Sequence, residues 1–221
     1  MKLLTAILDL LYPPKCVLCG RLLEKDETDL CRRCRIEAPE CSRVKKTIPH
    51  VATCAAVWYY EDMVRESLLR YKFQNARSYA DVYGRFVAMK LAQLMEGQAF
   101  MLTWVPISAK RRRKRGYDQV ELLAQAVSRE LNIPAVQTLK KIRDNPPQSS
   151  ITGEAQRRAN VLGVYAPVKR EQFYGKQLVL LDDIVTTGAT ISEASRVLLT
   201  YGAKEVHCVA VAAASAKPKN Q

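Results

Sequence analysis

Leu178 to Thr190, LVLLDDIVTTGAT, constrains this chain more than any other stretch. An apolar run ends in two adjacent carboxylates and breaks into a short Thr/Gly segment. Ile191 to Tyr201 follows with apolar residues at helical spacing and stops at Gly202. A short apolar run bounded by turn residues is the mark of a buried strand, and a strand feeding a helix is the unit of an α/β sheet. Open sheets of that kind bind ligands in the crevice beyond the carboxyl ends of their strands.

The rest of the chain repeats the unit. Val51 to Tyr60 and Ala99 to Ile107 are expected strands, Ala135 to Leu139 is a candidate strand, and Lys176 to Leu181 and Val206 to Ala212 flank the last helix. Helical spacing marks Glu61 to Phe73, Ala76 to Leu94 and Tyr117 to Leu131. Strands alternating with helices predict an α/β fold with a mostly parallel sheet flanked by helices. Between Arg143 and Asn160 lies a polar loop long enough to suggest a functional role.

Hydrophobic residues make up 48% of the 221-residue chain, enough for a real core. The formal charge of +13 favours polyanionic partners without choosing among nucleic acid, phosphorylated metabolites and anionic lipid. At the amino terminus, Leu3 to Leu11 is shorter than the ~20 apolar residues that span a bilayer. Leu3, Leu4, Ile7, Leu8 and Leu11 fall on one helical face ended by Pro13 and Pro14, so it is expected to pack as a short helix. No other segment suits a membrane span, and the expectation is a cytoplasmic protein with no membrane insertion. Disorder is expected only in the tail from Ser215 to Gln221.

Five of the seven cysteines fall within the first 41 residues. Cys16, Cys19, Cys31 and Cys34 form two CxxC pairs, each able to place two thiolates on one tetrahedral Zn²⁺. The odd cysteine count and the absence of an export signal disfavour two disulfides, and the polar surroundings disfavour four packed thiols. Four ligands leave no open position, so the zinc would be structural. Cys41 lies close enough to replace one ligand, while Cys54 and Cys208 sit in apolar runs and are assigned to the core. The expected boundary puts an N-terminal helix and a four-cysteine zinc module in residues 1–48 and the α/β unit in residues 49–221. His50 and His207 are read as structural.

Two acids at the end of a buried strand repel each other and need solvent or partners. Asp182 and Asp183 suit ribose hydroxyls. Thr186, Thr187, Gly188, Ala189 and Thr190 supply backbone N–H groups and hydroxyls at a helix start, an anion nest for a phosphate about one sugar away. Thr190 with Glu193 also matches a capping box, so Thr190 reads as a helix cap as well as a ligand residue. The chain has no GxxxxGK[ST] and no GxGxxG loop. Lys110 to Arg115 is six basic residues in a row, suited either to a diphosphate or to a nucleic-acid backbone. Tyr117 is the one nearby ring for stacking on a base.

The stretch LVLLDDIVTTGAT resembles the thirteen-residue motif with which type I phosphoribosyltransferases hold phosphoribosyl pyrophosphate (PRPP). With the cysteine pairs, LLRYKF (Leu68 to Phe73), VPISAKRRRKRGYDQVELLA (Val105 to Ala124) and PPQSSITGEAQRRAN (Pro146 to Asn160), the chain more specifically resembles the ComF family of bacterial competence proteins, including its GntX-type members. Where that family usually has RGFNQ, this chain has Arg115-Gly116-Tyr117-Asp118-Gln119.

The resemblance implies a type I phosphoribosyltransferase-like domain behind a zinc finger. It implies that Asp182 and Asp183 orient the ribose of PRPP, with Mg²⁺ bridging diphosphate and hydroxyls, and stabilise positive charge at the anomeric carbon. Lys110, Arg111, Arg115 and Arg157 would hold the diphosphate. Arg112, Arg113, Lys114 and Tyr117 are the nucleic-acid candidates. Arg143, Gln148, Arg157, Arg158 and Asn160 fall in or beside the region implied to close over PRPP. The implied role is natural competence, handling transforming single-stranded DNA, with other competence proteins such as a DNA helicase as partners and a peripheral place at the inner membrane. An active phosphoribosyltransferase of nucleotide metabolism is the alternative, since no acceptor pocket is visible in the sequence.

Overall fold

The computed structural model describes residues 13–42, 44, 47–146, 148 and 151–215. The expected helix at Leu3 to Leu11 and the tail beyond residue 215 lie outside them. Elements are numbered in chain order: α1 (Arg32–Glu37), β1 (Cys54–Tyr59), α2 (Asp62–Phe73), α3 (Tyr79–Leu94), β2 (Met101–Trp104), α4 (Ala109–Arg115), α5 (Gln119–Leu131), β3 (Leu139–Lys141), α6 (Glu154–Val161), β4 (Tyr165–Pro167), α7 (Arg170–Phe173), β5 (Gln177–Val185), α8 (Ala189–Thr200) and β6 (Glu205–Ala213).

Four strands form a parallel sheet in the order β1-β6-β5-β2. The two central strands are buried on both faces, which is why they read as unbroken apolar runs and not as an alternation. Their side chains still divide by parity. Val179, Leu181, Val209 and Val211 face a layer made by α2, α3 and α5. Leu178, Leu180, Cys208 and Ala210 face α8 and the β3–β4 hairpin. Each fully buried Leu or Val contributes roughly 1.5–3 kcal/mol, so the sheet is pinned from both sides.

β5 runs through Val185 and does not stop at Leu181 as the apolar run suggests. Asp182 pairs in register with Ala210, so both acids belong to the strand. Since successive residues of a strand point to opposite faces, Asp183 joins the Val179/Leu181 side and Asp182 the Leu178/Leu180 side.

Three other elements depart from expectation. Ala135 makes a single parallel bridge to Leu102, with Val136 N–H donating to the Leu102 carbonyl, and the strand proper is the later β3, paired antiparallel with β4. The basic run is the helix α4, capped by the Ser108 hydroxyl, which accepts from Arg111 N–H at 3.2 Å. The polar segment after Arg143 is half helix, α6, and lies against the cleft described below.

The cysteine module docks onto the sheet's helical layer. Val17, Leu18 and Leu30 share one core with Leu68, Tyr71 and Tyr83. Ser67 Oγ donates to the Val17 carbonyl, Arg70 Nη2 donates to Val17 O at 3.3 Å, and Arg85 Nε donates to Asp29 at 2.8 Å. The chain leaving the module adds an antiparallel partner to β1: Cys41 N–H donates to Val57 O and Tyr59 N–H to Pro39 O.

Candidate functional site

β5 and β2 are neighbours, yet their continuations leave toward opposite faces: β5 feeds α8, while β2 leads through α4 to α5. That divergence opens a crevice at the carboxyl ends of the strands, where open sheets hold ligands. The crevice is a cavity of about 1000 Å³ lined by Asp182 to Ile191, by Lys110, Arg111, Lys114 and Arg115, by Arg157, and by Lys72 and Lys141. The acids, the Thr/Gly loop and most of the basic run therefore share one cleft.

The two acids occupy different environments. Asp183 accepts from Gln119 Nε2 at 2.7 Å and pairs with Lys72 Nζ at 2.9 Å. Asp182 is fixed by the backbone of the next residue, Oδ1 accepting from Asp183 N–H at 2.8 Å, and has no ion pair among the described residues. With Asp182 8% and Asp183 5% exposed, burial first and the Asp183 charge second push the Asp182 carboxyl well above its ordinary pKa. One carboxylate is paired with lysine, and the other has its charged form disfavoured by burial and by its neighbour.

Beyond them, Gly188 takes φ +76 and caps α8. It also makes room for Ile48, because a Cβ there would sit 2.8 Å from Ile48 Cγ1. The capping box expected at Thr190 is not formed: α8 begins at Ala189, and Glu193 turns away. Glu193 accepts from Gly163 N–H at 2.8 Å and pairs with Arg196 at 2.8 Å, tying α8 to the end of α6. Burial opposes its charge, but the Arg196 bond and the Gly163 N–H outweigh it and hold its pKa low.

The basic run divides. Lys110, Arg111, Lys114 and Arg115 line the cleft. Arg112 turns out to Glu121, 3.0 Å away, and neither Arg112 nor Arg113 borders the cavity. Tyr117 is corrected as a stacking candidate. It is buried, its hydroxyl donates to the Tyr71 carbonyl, and Arg77 lies over its ring at 4.9 Å. Arg157 lines the cleft and its Nε donates to Ile151 O at 2.8 Å. Gln148 Nε2 reaches both the Arg157 carbonyl and Thr190 Oγ1, at 3.1 and 3.5 Å. Arg143 donates to Leu162 O, Asn160 Nδ2 donates to Pro146 O at 3.0 Å, and Arg158 pairs outside with Glu154.

Asp118 has a defined place. One oxygen accepts from Val120 and Glu121 N–H at the start of α5, and the other from Ile107 N–H at 3.0 Å, just after β2. All three partners are donors, so a carboxylate satisfies the site where an amide would turn its NH₂ toward one of them.

Several cleft residues escaped the sequence reading. Lys72 lies in the LLRYKF stretch, whose helical pattern hides which polar residue faces inward. Lys141 lies on β3 with its Nζ 5.6 Å from the Tyr165 ring centroid, and burial pulls its pKa down to about 8. Asp144 accepts from Ser108 Oγ at 2.5 Å, which together with Arg111 and Lys110 keeps its pKa low.

In the cysteine module, the ligand atoms of Cys16, Cys19, Cys31 and Cys34 lie within 4.8 Å of one another. Cys19 and Cys31 Sγ are 3.7 Å apart. A Zn²⁺ with bonds of ~2.3 Å requires sulfurs ~3.8 Å apart on a tetrahedron, so the set fits the metal. Cys41 packs in the opposite core, outside this cluster. Cys208 is buried and Cys54 half-buried, opposite one another on β6 and β1. His207 Nδ1 lies 2.7 Å from Thr53 Oγ1.

Two family models match parts of the chain. Residues 121–221 match the phosphoribosyl transferase domain and residues 7–58 the double zinc ribbon domain. The competence protein ComFC of Bacillus subtilis strain 168 is 27% identical over 187 residues, covering 85% of this chain and 72% of that protein. ComFC of Streptococcus pneumoniae R6 is 29% identical, covering 87% and 96%. The DNA utilization protein YhgH of Escherichia coli K12 is 26% identical, covering 86% of each. Among solved structures, the allosteric regulatory enzyme of purine biosynthesis is 21% identical with a TM-score of 0.43; the match covers 65% of this chain and spans only 30% of that one. Along most of its length the chain is similar to the ComF-type competence proteins, and it has a type I phosphoribosyltransferase-like fold with a structural zinc site in its N-terminal double zinc ribbon.

Proposed function

We propose that the cleft binds PRPP together with Mg²⁺, and that the chain serves the uptake or use of DNA named in its relatives. The observation that carries this reading is the placement of Asp182, Asp183 and the Thr186–Thr190 loop in the same crevice as four cations of α4. The loop N–H groups and hydroxyls suit a 5′-phosphate. Asp182 and Asp183 suit the ribose hydroxyls, and Lys110, Arg111 and Arg115 a diphosphate. The oxygen donors of the acids fit a hard cation that takes its other ligands from phosphates and water. Mg²⁺, when bound, neutralises the diphosphate; the chain's own residues position the ribose and shield it from water. Arg112 and Arg113, outside the cavity, suit the phosphates of single-stranded DNA passing its mouth.

Calorimetric titration tests the reading. PRPP with Mg²⁺ should bind at least about tenfold more tightly than ribose 5-phosphate or pyrophosphate alone, because it engages loop, acids and basic helix at once. Equal affinity for pyrophosphate and PRPP would show that only the basic helix recognises the ligand. Pyrophosphate release from PRPP in the presence of a panel of bases separates turnover from binding.

A further inference from the structure

Val17 and Leu18, the two residues inside the first CxxC turn, are buried and aim their carbonyls at α2. Val17 O accepts from Ser67 Oγ and from Arg70 Nη2 at 3.3 Å, and Leu18 O accepts from the same nitrogen. Ser67 is itself buried, with Tyr83 Oη 2.5 Å from its hydroxyl. The next two residues of the helix hold Asp183. Tyr71 Oη donates to Gln119 O at 2.5 Å, and Gln119 Nε2 donates to Asp183 at 2.7 Å. Lys72 Nζ pairs with the other oxygen of that carboxylate at 2.9 Å. At 1.5 Å of rise per residue, the grip on the cysteine turn and the grip on the acid are within roughly 8 Å along one helix.

A second tie reaches the phosphate loop. The chain between the cysteine module and β1 carries Ile48, which is buried and fills the space over Gly188, where a Cβ would sit 2.8 Å from Ile48 Cγ1. The module is thus fastened to the acid pair on one side of the cleft and to the Thr/Gly loop on the other.

A four-thiolate zinc turn takes its folding energy from the ion. Without the metal, the Val17 and Leu18 carbonyls lose their fixed positions, and Ser67 and Arg70 lose their acceptors. α2 has 12 residues, too few to hold a helix in water unaided, so its position depends on such contacts.

We propose that Ser67 and Arg70 are positioning residues that couple the zinc turn to the acidic pair, so that zinc raises PRPP affinity and PRPP raises zinc affinity. The inference rests on the PRPP reading of the cleft and adds a regulator to it, a thiophilic divalent metal bound outside the cleft.

The full chain is titrated in a zinc buffer containing Mg²⁺, with PRPP absent or saturating. Zinc affinity should rise about tenfold with PRPP, and linkage requires calorimetric PRPP affinity to fall by the same factor in the zinc-free chain. Arg70→Gln, loaded with zinc and folded by circular dichroism, carries the test should the zinc-free chain unfold. It should bind PRPP about fivefold more weakly, and PRPP should no longer raise its zinc affinity. Arg85→Met removes a different tie, the one to Asp29, and should leave PRPP affinity and coupling unchanged. Wild-type PRPP affinity in zinc-loaded Arg70→Gln, or equal PRPP affinity with and without zinc, overturns the coupling. An Arg85→Met loss as large as that of Arg70→Gln also overturns it, marking general docking of the module. A zinc-loaded wild type that does not bind PRPP overturns the cleft reading and the coupling with it.

Discussion

Lys72 Nζ lies 2.9 Å from Asp183 Oδ1, with the two side chains 18% and 7% exposed. α2 thus sends a cation under the carboxyl end of β5 and neutralises one member of the acidic pair. Gln119 holds the other oxygen of the same carboxylate, so Asp183 is oriented by two helices before any ligand arrives. This asymmetry explains how adjacent carboxylates persist inside a strand: Asp183 is paired with Lys72, while burial and the Asp183 charge raise the Asp182 pKa.

Removing one partner of a buried pair leaves an uncompensated charge. Lys72→Met should lower unfolding free energy by about 3 kcal/mol in a denaturant titration, and adding Asp183→Asn should recover most of it. Independent, additive losses would show that the pair is not coupled.

Asp182 has the opposite effect. Its folded pKa is raised by burial and by Asp183, so the folded chain retains a proton that the unfolded chain loses. Stability should then fall as pH rises from its unfolded pKa, ordinarily 3.8, through the raised folded value. Asp182→Asn should raise the melting temperature at neutral pH, flatten that pH dependence and weaken PRPP binding. A variant less stable than wild type at pH 8 would contradict this assignment.

Lys141 titrates in the reverse sense. Burial holds its folded pKa at about 8 against an ordinary 10.5, so the folded chain binds fewer protons, and stability should gain as pH rises between those values. Its charge faces the anion cleft, so pyrophosphate affinity should drop as pH passes about 8. Lys141→Arg, whose guanidinium stays charged, should remove the drop. A pyrophosphate affinity that stays level across this range in wild type would exclude Lys141 from the anion site.

The zinc module shares a core with α2 and α3, and Arg70 and Ser67 bond its backbone. Chelation or Cys16→Ser should therefore lower the melting temperature of the whole chain in one transition, followed by calorimetry with metal content measured in parallel. A separate early transition would show that the module unfolds alone.

Much of this architecture was legible because buried parallel strands leave continuous apolar runs and CxxC pairs leave a fixed spacing. What sequence periodicity missed has a common cause. β5 continues past its apolar residues because Asp182 to Val185 keep ladder bonds with β6, which side-chain character does not report. Lys72, Gln119 and Lys141 reach the cleft from three different elements, and only the tertiary fold shows that they converge. Tyr117 misled in the other direction: next to six basic residues it suggested a surface, yet the glycine turn at Gly116 aims its ring into the core. Asp118 was opaque because its three donors are backbone N–H groups.

Calorimetric titration of PRPP with Mg²⁺ against the Asp182→Asn/Asp183→Asn variant tests most directly whether the acidic pair and the loop above it form one PRPP site. The variant should fold, keep wild-type zinc content and bind PRPP at least about a hundredfold more weakly. Unchanged affinity in that folded variant would contradict the assignment.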